Sequence, residues 1–287
     1  MRPVPLFVEL CAGTAALSLR LQQRKAKPPV SRMGSKSGYA DAILRVLGLR
    51  AGQKADHYLW CEPDAGCRLL LEAYRDRALA LAAADIIRSW ADEEPRALWE
   101  RLRAEGPPVC PPADAREVAR WAMGMVWSVG ATGKMTGFCG PGHVSKSGKV
   151  PFPSGTTYCR HMGARFARSP TLPATIADDA RPIEPGTLPP GTVVYADVPY
   201  QGTTGYAHLF PREEWLPVVR RWDAAGAIVC ISEAEPIPEL VADGWHAVEI
   251  TWARVGQART FSKQKCEWLT LNRPPAWTVP VQTGLFG

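Results

Sequence analysis

Short apolar runs of strand character alternate with helical stretches along most of this chain, and this alternation limits its possible folds more than any other feature. The first run, at residues 5–10, is followed by a turn at 11–14 and a helical stretch to about residue 24. Alternation of this kind is typical of a parallel sheet with helices on both faces. The sequence therefore predicts an α/β fold with a mostly parallel, doubly wound sheet.

The other strand-like runs continue this pattern until the chain nears its end. Helical stretches are predicted at 64–81, from there to about 103, and at 114–129. No helical pattern separates the last two strands, so we expect an antiparallel hairpin at one edge of the sheet. The further predicted strands lie at residues 57–61, 174–177, 192–196, 227–231, 246–252 and 265–271.

Residues 130–170 interrupt the alternation because they are rich in Gly, Ser and Pro and contain scattered aromatic residues. A segment of this length without regular structure is usually functional or disordered. We therefore predict that residues 1–85 and 170–287 form the main α/β domain. Residues 86–169 are predicted to be an inserted region of helices and loops that recognises the target.

Basic charge is concentrated in the predicted insertion. The formal net charge is +6, yet residues 118–177 contain no Asp or Glu and carry +7, which leaves −1 for the rest of the chain. One basic segment on a near-neutral body predicts a polyanionic partner, with nucleic acid the first candidate. A solvated loop that lacks acids would show the same pattern. The charge comes from Arg120, Lys134, Lys146, Lys149, Arg160, Arg165 and Arg168, and all but Arg120 and Arg168 are our candidate phosphate contacts.

Eight cysteines without a Cys-x-x-Cys pair favour free thiols in a reducing cytoplasm. Cys139 with His143, and Cys159 with His161, offer zinc-type ligands, but their spacings are not those of common zinc fingers, so we predict no metal site. No stretch approaches the ~20 apolar residues of a membrane span. Glu9 interrupts the longest N-terminal apolar run. We expect a cytoplasmic protein without membrane contact, and no obligate protein partner is evident.

Residues 193–200 join a buried strand to an acid, a proline bend and an aromatic ring, namely Asp197, Val198, Pro199 and Tyr200. Side chains at the carboxyl end of a parallel strand reach the crevice where α/β sheets bind ligands. Asp197 and a backbone carbonyl of the bend could accept the two hydrogens of an exocyclic amine, while Tyr200 stacks on a planar base. A plain strand exit with a capping Asp would contain the same residues.

The first strand leads through a turn with one glycine, Gly13, into a helix. Backbone N–H groups in such a turn can face a ligand, although tight packing of strand and helix would also favour the glycine. Glu62 ends the second strand, where an acid commonly accepts ribose hydroxyls in doubly wound nucleotide-binding folds. Alternatively, the Glu-Pro-Asp run starts a helix, with Asp64 as its N-cap.

Together these features resemble the S-adenosylmethionine-dependent DNA amino-methyltransferases, and more narrowly the DNA adenine methylase class. Asp-Val-Pro-Tyr at 197–200 stands where that class has Asp-Pro-Pro-Tyr. Residues 121–155, which end Gly-Lys-Val-Pro-Phe-Pro-Ser-Gly, and residues 195–206 resemble two further regions of the class. Glu-Trp-Leu-Thr-Leu-Asn at 267–272 is similar to its closing Glu-x-Leu-Ile-x-Asn strand. The Lys-Trp-x-Gly-Gly-Lys segment of the class precedes the glycine turn, whereas Ser-Arg-Met-Gly-Ser-Lys at 31–36 follows it here.

The resemblance implies a Rossmann-like methyltransferase fold, S-adenosylmethionine as cofactor and double-stranded DNA as substrate, in a bacterial or phage-encoded enzyme that flips the target base. Asp197 and the main chain at Val198 would hold the N6 amine of adenine, Pro199 would shape the bend, and Tyr200 would stack on the base. Apart from the resemblance, most of the eleven tryptophans are predicted to lie in the core, and only Trp127, near the basic loop, is a candidate for contact with bases. The implied cofactor contacts are Glu9, Leu10, Cys11, Ala12, Gly13, Lys36, Glu62, Asp178 and Asp179.

Several alternatives stay open at this point. Cytosine N4 presents similar chemistry to adenine N6, and RNA or a small molecule could replace duplex DNA as the substrate. Val198 in place of a proline removes one fixed backbone angle from the bend. The chain could therefore also be a DNA-binding relic of the fold that transfers no methyl group.

Overall fold

The computed structural model describes residues 2–30, 35–128, 135–141, 154–200, 208–251 and 266–278. Within them, seven strands form one sheet in the order β3-β2-β1-β4-β5-β7-β6. The α/β class and the mostly parallel sheet are therefore confirmed. The strands are β1 (Val4–Leu10), β2 (Ala55–Cys61), β3 (Ala174–Ala177), β4 (Val193–Ala196), β5 (Ile228–Glu233), β6 (His246–Glu249) and β7 (Trp268–Leu271).

The direction of strand progression reverses in the middle of the sheet. β1 pairs in parallel with β2 on one side and with β4 on the other. β2 continues to β3, and β4 continues to β5, also in parallel. An open α/β sheet binds ligands beyond the carboxyl ends of its strands at such a reversal point. The strand order β3-β2-β1-β4-β5 is compatible with a Rossmann-like sheet. In such a sheet, a ligand would be expected beyond the carboxyl ends of β1 and β4.

The far edge of the sheet is antiparallel. β7 runs against β5, and β6 runs against β7, with Val248 opposite Leu269. The predicted edge hairpin is thus confirmed, and its second strand lies inside the sheet rather than on the rim. This insertion brings the residue before β7, Glu267, next to the carboxyl end of β5.

Both faces of the sheet are covered by helices. Phe7 and Val8 of β1 are fully buried in two different apolar clusters, as expected for a strand whose alternate side chains point to opposite faces. The larger cluster contains residues from the first seven helices, and the smaller one contains residues from the last two. The helices are α1 (Ala16–Gln22), α2 (Ala40–Val46), α3 (Ala65–Arg75), α4 (Arg77–Ser89), α5 (Pro95–Ala104), α6 (Ala115–Val126), α7 (Gly155–Arg168), α8 (Arg212–Ala224) and α9 (Pro238–Ala242).

The continuous helix predicted over 64–81 is wrong, because Asp76 divides it. Asp76 has extended backbone angles, with φ −116° and ψ 111°, and its carboxylate accepts from the amides of Ala78 and Leu79. A carboxylate in this position satisfies amide groups that have no partner inside the helix. Asp76 therefore ends α3 and caps α4.

The predicted inserted region shares its packing with the main domain. Its proposed first residue, 86, lies inside α4, and α4 packs along α7. Gly163 makes this close approach possible, since a Cβ there would lie 2.8 Å from the carbonyl oxygen of Ala84. α3, α4, α6 and α7 contribute to one apolar cluster together with β1 and β2. The division into two domains stays a prediction.

Two sequence-based expectations about this region are wrong. Arg120 is 1% exposed and pairs with Glu117 over 2.6 Å, so it does not add to a basic surface. Trp127 is also 1% exposed and packs against Phe138 and Tyr158, which keeps it away from any base. Both side chains stabilise the helical region from inside. No helix among the described residues is long and apolar enough to cross a bilayer.

Candidate functional site

The carboxyl ends of β1 and β4 lie side by side. Glu9 and Leu10 of β1 are in register with Tyr195 and Ala196 of β4. The pairing continues one step further, since the amide of Asp197 donates to the carbonyl of Leu10 over 3.1 Å. The acid after β4 is therefore fixed beside the turn that follows β1.

A cavity of about 500 Å³ opens at this point, which is a volume typical of small-molecule sites. Of the residues predicted to bind a cofactor or a substrate amine, nine line it: Glu9, Cys11, Ala12, Gly13, Lys36, Glu62, Asp179, Asp197 and Pro199. Four do not belong to the lining, namely Leu10, Val198, Tyr200 and Asp178.

The turn between β1 and α1 is wound in left-handed backbone conformations. Cys11, Gly13 and Ala15 have φ values of 60°, 54° and 48°. Apart from its two chain neighbours, no heavy atom of the described residues lies within 4 Å of the place where a Gly13 Cβ would sit, so the backbone angle and not the space favours glycine there. Left-handed angles at non-glycine residues cost roughly 1–3 kcal/mol each and persist where the surroundings enforce them.

Glu62 is one of the residues that enforce this turn. Its Oε2 accepts from the Gly13 amide over 2.6 Å, and its Oε1 accepts from the Asp64 amide over 2.9 Å. Asp64 in turn caps α3 by accepting from the amide of Cys67 over 2.9 Å. The helix-cap interpretation of Asp64 is thus confirmed. Glu62 itself is 5% exposed and lines the cavity.

Glu9 places a second buried carboxyl group in the cavity wall. Its Oε1 accepts from both the amide and the hydroxyl of Ser18, and that hydroxyl accepts from the indole of Trp60. Burial raises the pKa of Glu9 to about 7, although the bonds from Ser18 oppose the rise. Glu9 can therefore gain or lose a proton near neutral pH.

Asp197 is held by a lysine from the other side of the cavity. The ammonium of Lys36 lies 2.7 Å from Oδ1 of Asp197 and 3.6 Å from Oε1 of Glu267. Lys36 belongs to a 3₁₀ turn, Lys36–Gly38, that begins after Ser35. Although this segment follows the glycine turn in sequence, the fold still brings its lysine to the cavity. Residues 31–34 of the same motif lie outside the described residues.

The other members of Asp-Val-Pro-Tyr divide between the core and the cavity. Val198 is 1% exposed and belongs to the smaller apolar cluster, so a branched apolar side chain at this position fills core space. Pro199 lines the cavity. The ring of Tyr200 has the Lys36 ammonium 4.7 Å from its centroid, and its hydroxyl donates to Glu267 over 2.5 Å.

The two acids that follow β3, Asp178 and Asp179, differ in their position relative to the cavity. Asp178 is exposed, whereas Asp179 lines the cavity. Asp179 accepts from the backbone amide of Arg181 over 2.9 Å and from its guanidinium over 3.0 Å. Of the two candidates for contact with a cofactor amine, only Asp179 occupies a suitable place.

The cavity rim also contains residues that the sequence did not point to. The Arg181 guanidinium lies 4.8 Å from the centre of the Phe210 ring and pairs with Glu214 over 2.6 Å. It also donates to the carbonyl of Leu209, whose side chain is 78% exposed at the rim. Phe210 offers an aromatic surface to a flat ligand. Only the fold reveals this neighbourhood, since these residues lie on separate segments.

The two cysteines of the cavity wall are not nucleophiles at neutral pH. Burial raises the pKa of Cys61 to about 12, and the carboxylates of Asp179 and Glu62 add to the rise. Burial and the same Glu62 raise the pKa of Cys11 well above its ordinary value. A thiol reacts through its thiolate. The chemistry of the cavity therefore depends on its carboxylates, its lysine and its backbone.

The predicted nucleic-acid contacts are only partly described. Lys134, Lys146 and Lys149 lie outside the described residues, whereas Arg160 and Arg165 are exposed on α7. The last turn of α7 adjoins Arg77, which donates to the carbonyls of Ala167 and Ser169 before the chain enters β3. This is the amino end of the parallel strands, so Arg165 lies toward the side of the sheet opposite the cavity.

The cysteine and histidine pairs considered for zinc do not converge where they are described. Cys159 is buried, with its sulfur 3.9 Å from the carbonyl of Trp90, while His161 is exposed two residues further along α7. His143 lies outside the described residues. In the part of the chain that the structure describes, no three His, Cys, Asp or Glu side chains are grouped to hold a metal ion.

The sequence matches no protein-family model, and no curated protein is significantly similar to it. The chemistry of the cavity must therefore be judged from its own residues. Four carboxyl groups, Glu9, Glu62, Asp64 and Asp179, suit a ligand with hydroxyl, amine or ammonium groups. Asp197 and Pro199 mark a second, adjoining place for a hydrogen-bond donor.

Proposed function

We propose that this chain is an S-adenosylmethionine-dependent methyltransferase that methylates the N6 amine of adenine in DNA. The observation that carries the proposal is the position of Asp197. Its carboxylate lies at the carboxyl end of β4, inside the same cavity as the left-handed turn of β1. A donor bound at the turn and an amine bound at Asp197 would thus be neighbours.

The lining of the cavity suits S-adenosylmethionine. Glu9 offers a carboxylate to the ammonium of the methionine part, and Glu62 offers acceptors to the ribose hydroxyls. Asp179 and the Phe210 ring suit an adenine with an exocyclic amine. When bound, this cofactor supplies an electrophilic methyl group on a positively charged sulfur, and an acidic lining favours such a cation.

Asp197 and its bend would hold the substrate amine. A carboxylate has about four lone-pair sites, so Asp197 can accept an amine hydrogen while it keeps the bond to Lys36. The carbonyl of Val198 would accept the second hydrogen, and Pro199 limits the backbone angles of the bend. Withdrawing both hydrogens from conjugation with the ring localises the nitrogen lone pair. Most of the rate would then come from positioning and electrostatics.

The amine of a base in a duplex cannot reach a cavity of this kind. The base must leave the stack, and an aromatic side chain beside the amine site compensates for part of the lost stacking. Tyr200 would have this role, since Lys36 contacts both its ring and the carboxylate of Asp197. Lys36 lies 4.7 Å from the centroid of its ring, so the base would use the ring surface that the ammonium leaves accessible.

Methylation of plasmid DNA tests the proposal. The purified chain is incubated with unmethylated plasmid and labelled S-adenosylmethionine, and the DNA is then digested to nucleosides for mass analysis. We expect N6-methyl-2′-deoxyadenosine from the wild-type chain and none from Asp197→Ala, with cofactor affinity nearly unchanged. Asp178→Ala is the matched control, because Asp178 is exposed and does not line the cavity. This variant should methylate DNA at the wild-type rate.

The other outcomes of the same assay separate the alternatives. If the labelled product is cytosine methylated on N4, the target base is cytosine and not adenine. Label transferred to RNA or to a free nucleoside, with none on duplex DNA, would overturn the DNA assignment. If the chain binds DNA but calorimetry detects no binding of S-adenosylmethionine, the chain is a DNA-binding relic of the fold that transfers no methyl group. Retained turnover of Asp197→Ala would refute the role of this carboxylate.

A further inference from the structure

Glu267 is a buried acid in the loop that enters β7. It is 6% exposed, and its amide donates to the hydroxyl of Thr251 over 2.9 Å. The antiparallel insertion of β7 between β5 and β6 brings this residue beside the carboxyl end of the parallel strands. Glu267 thus reaches Tyr200 although it does not belong to the cavity lining.

The same oxygen of Glu267 has two partners at the proposed amine site. Oε1 accepts from the Tyr200 hydroxyl over 2.5 Å and lies 3.6 Å from the Lys36 ammonium. Lys36 in turn bonds Asp197 over 2.7 Å. Four side chains therefore form one continuous polar cluster, in which a single lysine is shared by two acids.

This cluster restrains the groups that would receive the base. A tyrosine ring has two rotatable side-chain angles, and a bond at its hydroxyl fixes the far end of the ring. Asp197 also shares the Lys36 ammonium with Glu267, at distances of 2.7 Å and 3.6 Å. A carboxylate that is less completely neutralised is a stronger hydrogen-bond acceptor for an amine.

We propose that Glu267 is a positioning residue for the transfer reaction, which holds the Tyr200 ring by its hydroxyl and sets the pairing of Lys36 with Asp197. This inference rests on the proposed methyltransferase function and deepens it. Glu267 itself would touch neither the base nor the cofactor. Its effect should therefore appear in the turnover number and in its pH dependence, and not in cofactor affinity.

The polar and titratable groups around Glu267 come from three segments. Burial raises its pKa, while the Lys36 ammonium and the bonds from Tyr200 and Ser232 oppose the rise. Replacing Glu267 with a neutral side chain would remove a negative charge near Asp197, and a like charge disfavours ionisation of a neighbour. The surrounding groups are Lys36, Asp197, Tyr200, Tyr195, Cys230 and Ser232.

Two substitutions separate the charge of Glu267 from its hydrogen bond. Glu267→Gln keeps an acceptor for the Tyr200 hydroxyl and removes the charge, so the acidic limb of the pH–rate profile should move to lower pH by about half a unit or more. Glu267→Leu removes both and should lower kcat roughly tenfold to a hundredfold, the loss expected for a hydrogen bond to an ionised group. The KM for DNA and the Kd for cofactor should stay within about twofold in both, as expected when only transition-state interactions are lost.

A double-mutant cycle with Tyr200→Phe tests the contact itself. Tyr200→Phe keeps the ring and removes the hydroxyl that donates to Glu267. If the two residues act through this bond, Glu267→Leu should add little to the loss that Tyr200→Phe already causes. Glu249→Gln is the matched control, because Glu249 lies opposite Trp268 on β6 and belongs to none of these contacts.

The outcomes distinguish this inference from the proposed function. A wild-type chain that transfers no methyl group overturns both. Wild-type transfer together with an unchanged kcat and an unchanged acidic limb in the Glu267 variants overturns the positioning role alone. Additive losses of Glu267→Leu and Tyr200→Phe would overturn the part of the role that acts through the Tyr200 hydroxyl. The unfolding midpoint of each variant in urea shows that the chain is folded at the assay temperature.

Discussion

The amide nitrogen of Gly13 lies 2.6 Å from Oε2 of Glu62, so the residue that follows β2 holds the turn that follows β1. Because the second oxygen of Glu62 accepts from Asp64, one carboxylate fixes two loops of the cavity wall. A cavity wall built in this way is assembled before a ligand binds. If the cavity binds S-adenosylmethionine as proposed, Glu62 should contribute to both binding and stability.

Glu62→Ala should therefore weaken cofactor binding and destabilise the chain together. A partly buried amide at Gly13 and a buried amide at Asp64 lose their acceptor, and an unsatisfied buried group costs about 1–3 kcal/mol. We expect a lower urea midpoint and at least about tenfold weaker binding of S-adenosylmethionine in calorimetry, since 1.4 kcal/mol corresponds to a factor of ten. Glu100→Ala, an exposed acid on α5, serves as control. Unchanged affinity would exclude Glu62 from the binding site.

Glu9 should make stability fall as the pH rises through the neutral range. Its pKa is about 7 in the folded chain, against an ordinary value of 4.5. The folded state thus binds more protons between these values, and the stability present below pH 4.5 is lost as the pH rises through 7. Relative to Glu9→Gln, wild type should lose up to about 3 kcal/mol. Parallel unfolding curves of the two proteins at pH 5 and pH 8 would contradict this.

The same proton should influence cofactor affinity. A bound ammonium favours the ionised form of Glu9, so binding must release the proton that Glu9 holds below its pKa of about 7. We expect the affinity for S-adenosylmethionine to rise between pH 6 and pH 8 by up to about tenfold. Glu9→Gln should bind more weakly, with no such dependence. Calorimetry in buffers of different ionisation enthalpy would count the released protons directly.

Val198→Pro restores the proline of the related motif and tests what the valine contributes. Val198 is 1% exposed in an apolar cluster, so the smaller proline should cost about 1 kcal/mol of stability. Methyl transfer should be maintained, because the carbonyl of the bend remains. Val198→Ala should show a comparable loss of stability without stiffening the backbone. A steep loss of turnover in Val198→Pro alone would show that the bend has been rebuilt for another substrate.

Arg160 and Arg165 offer a matched pair for DNA binding. Both are exposed on α7, but Arg165 lies toward the end of the helix that adjoins the start of β3, where it also donates to the carbonyl of Pro29. If DNA approaches the cavity, Arg160→Glu should weaken binding more than Arg165→Glu. Loss of one phosphate contact should reduce the salt slope by about one. Equal effects of the two variants would contradict this docking direction.

The sequence predicted the fold well where the local residue pattern and the final structure agree. Branched apolar residues before Asp197 gave the correct strand end, and the absence of a helix before residue 268 gave the antiparallel hairpin. The single helix over 64–81 was wrong because Asp76 stands inside an apolar helical pattern and caps the second helix. Arg120 was misjudged because its partner Glu117 stands just outside the acid-free segment.

The candidate site was predictable only in its strand-end residues. Glu9, Gly13, Glu62 and Asp197 follow or end parallel strands, and a doubly wound sheet brings such ends together. Tyr200 and Glu267 are separated by 67 positions, and no periodic pattern relates them. The contact exists because β7 returns antiparallel beside β5. Loop contacts of this kind depend on the completed tertiary structure, which a local pattern does not encode.

The left-handed backbone at Cys11 and Ala15 affects how tightly this chain can hold a small molecule. Non-glycine residues seldom adopt these angles, so folding has already restricted the segment to an uncommon shape. A ligand that docks there loses little further conformational entropy, and more of its contact energy remains as affinity. Glycines at the two positions would make the same turn easier to form and less selective for what it receives.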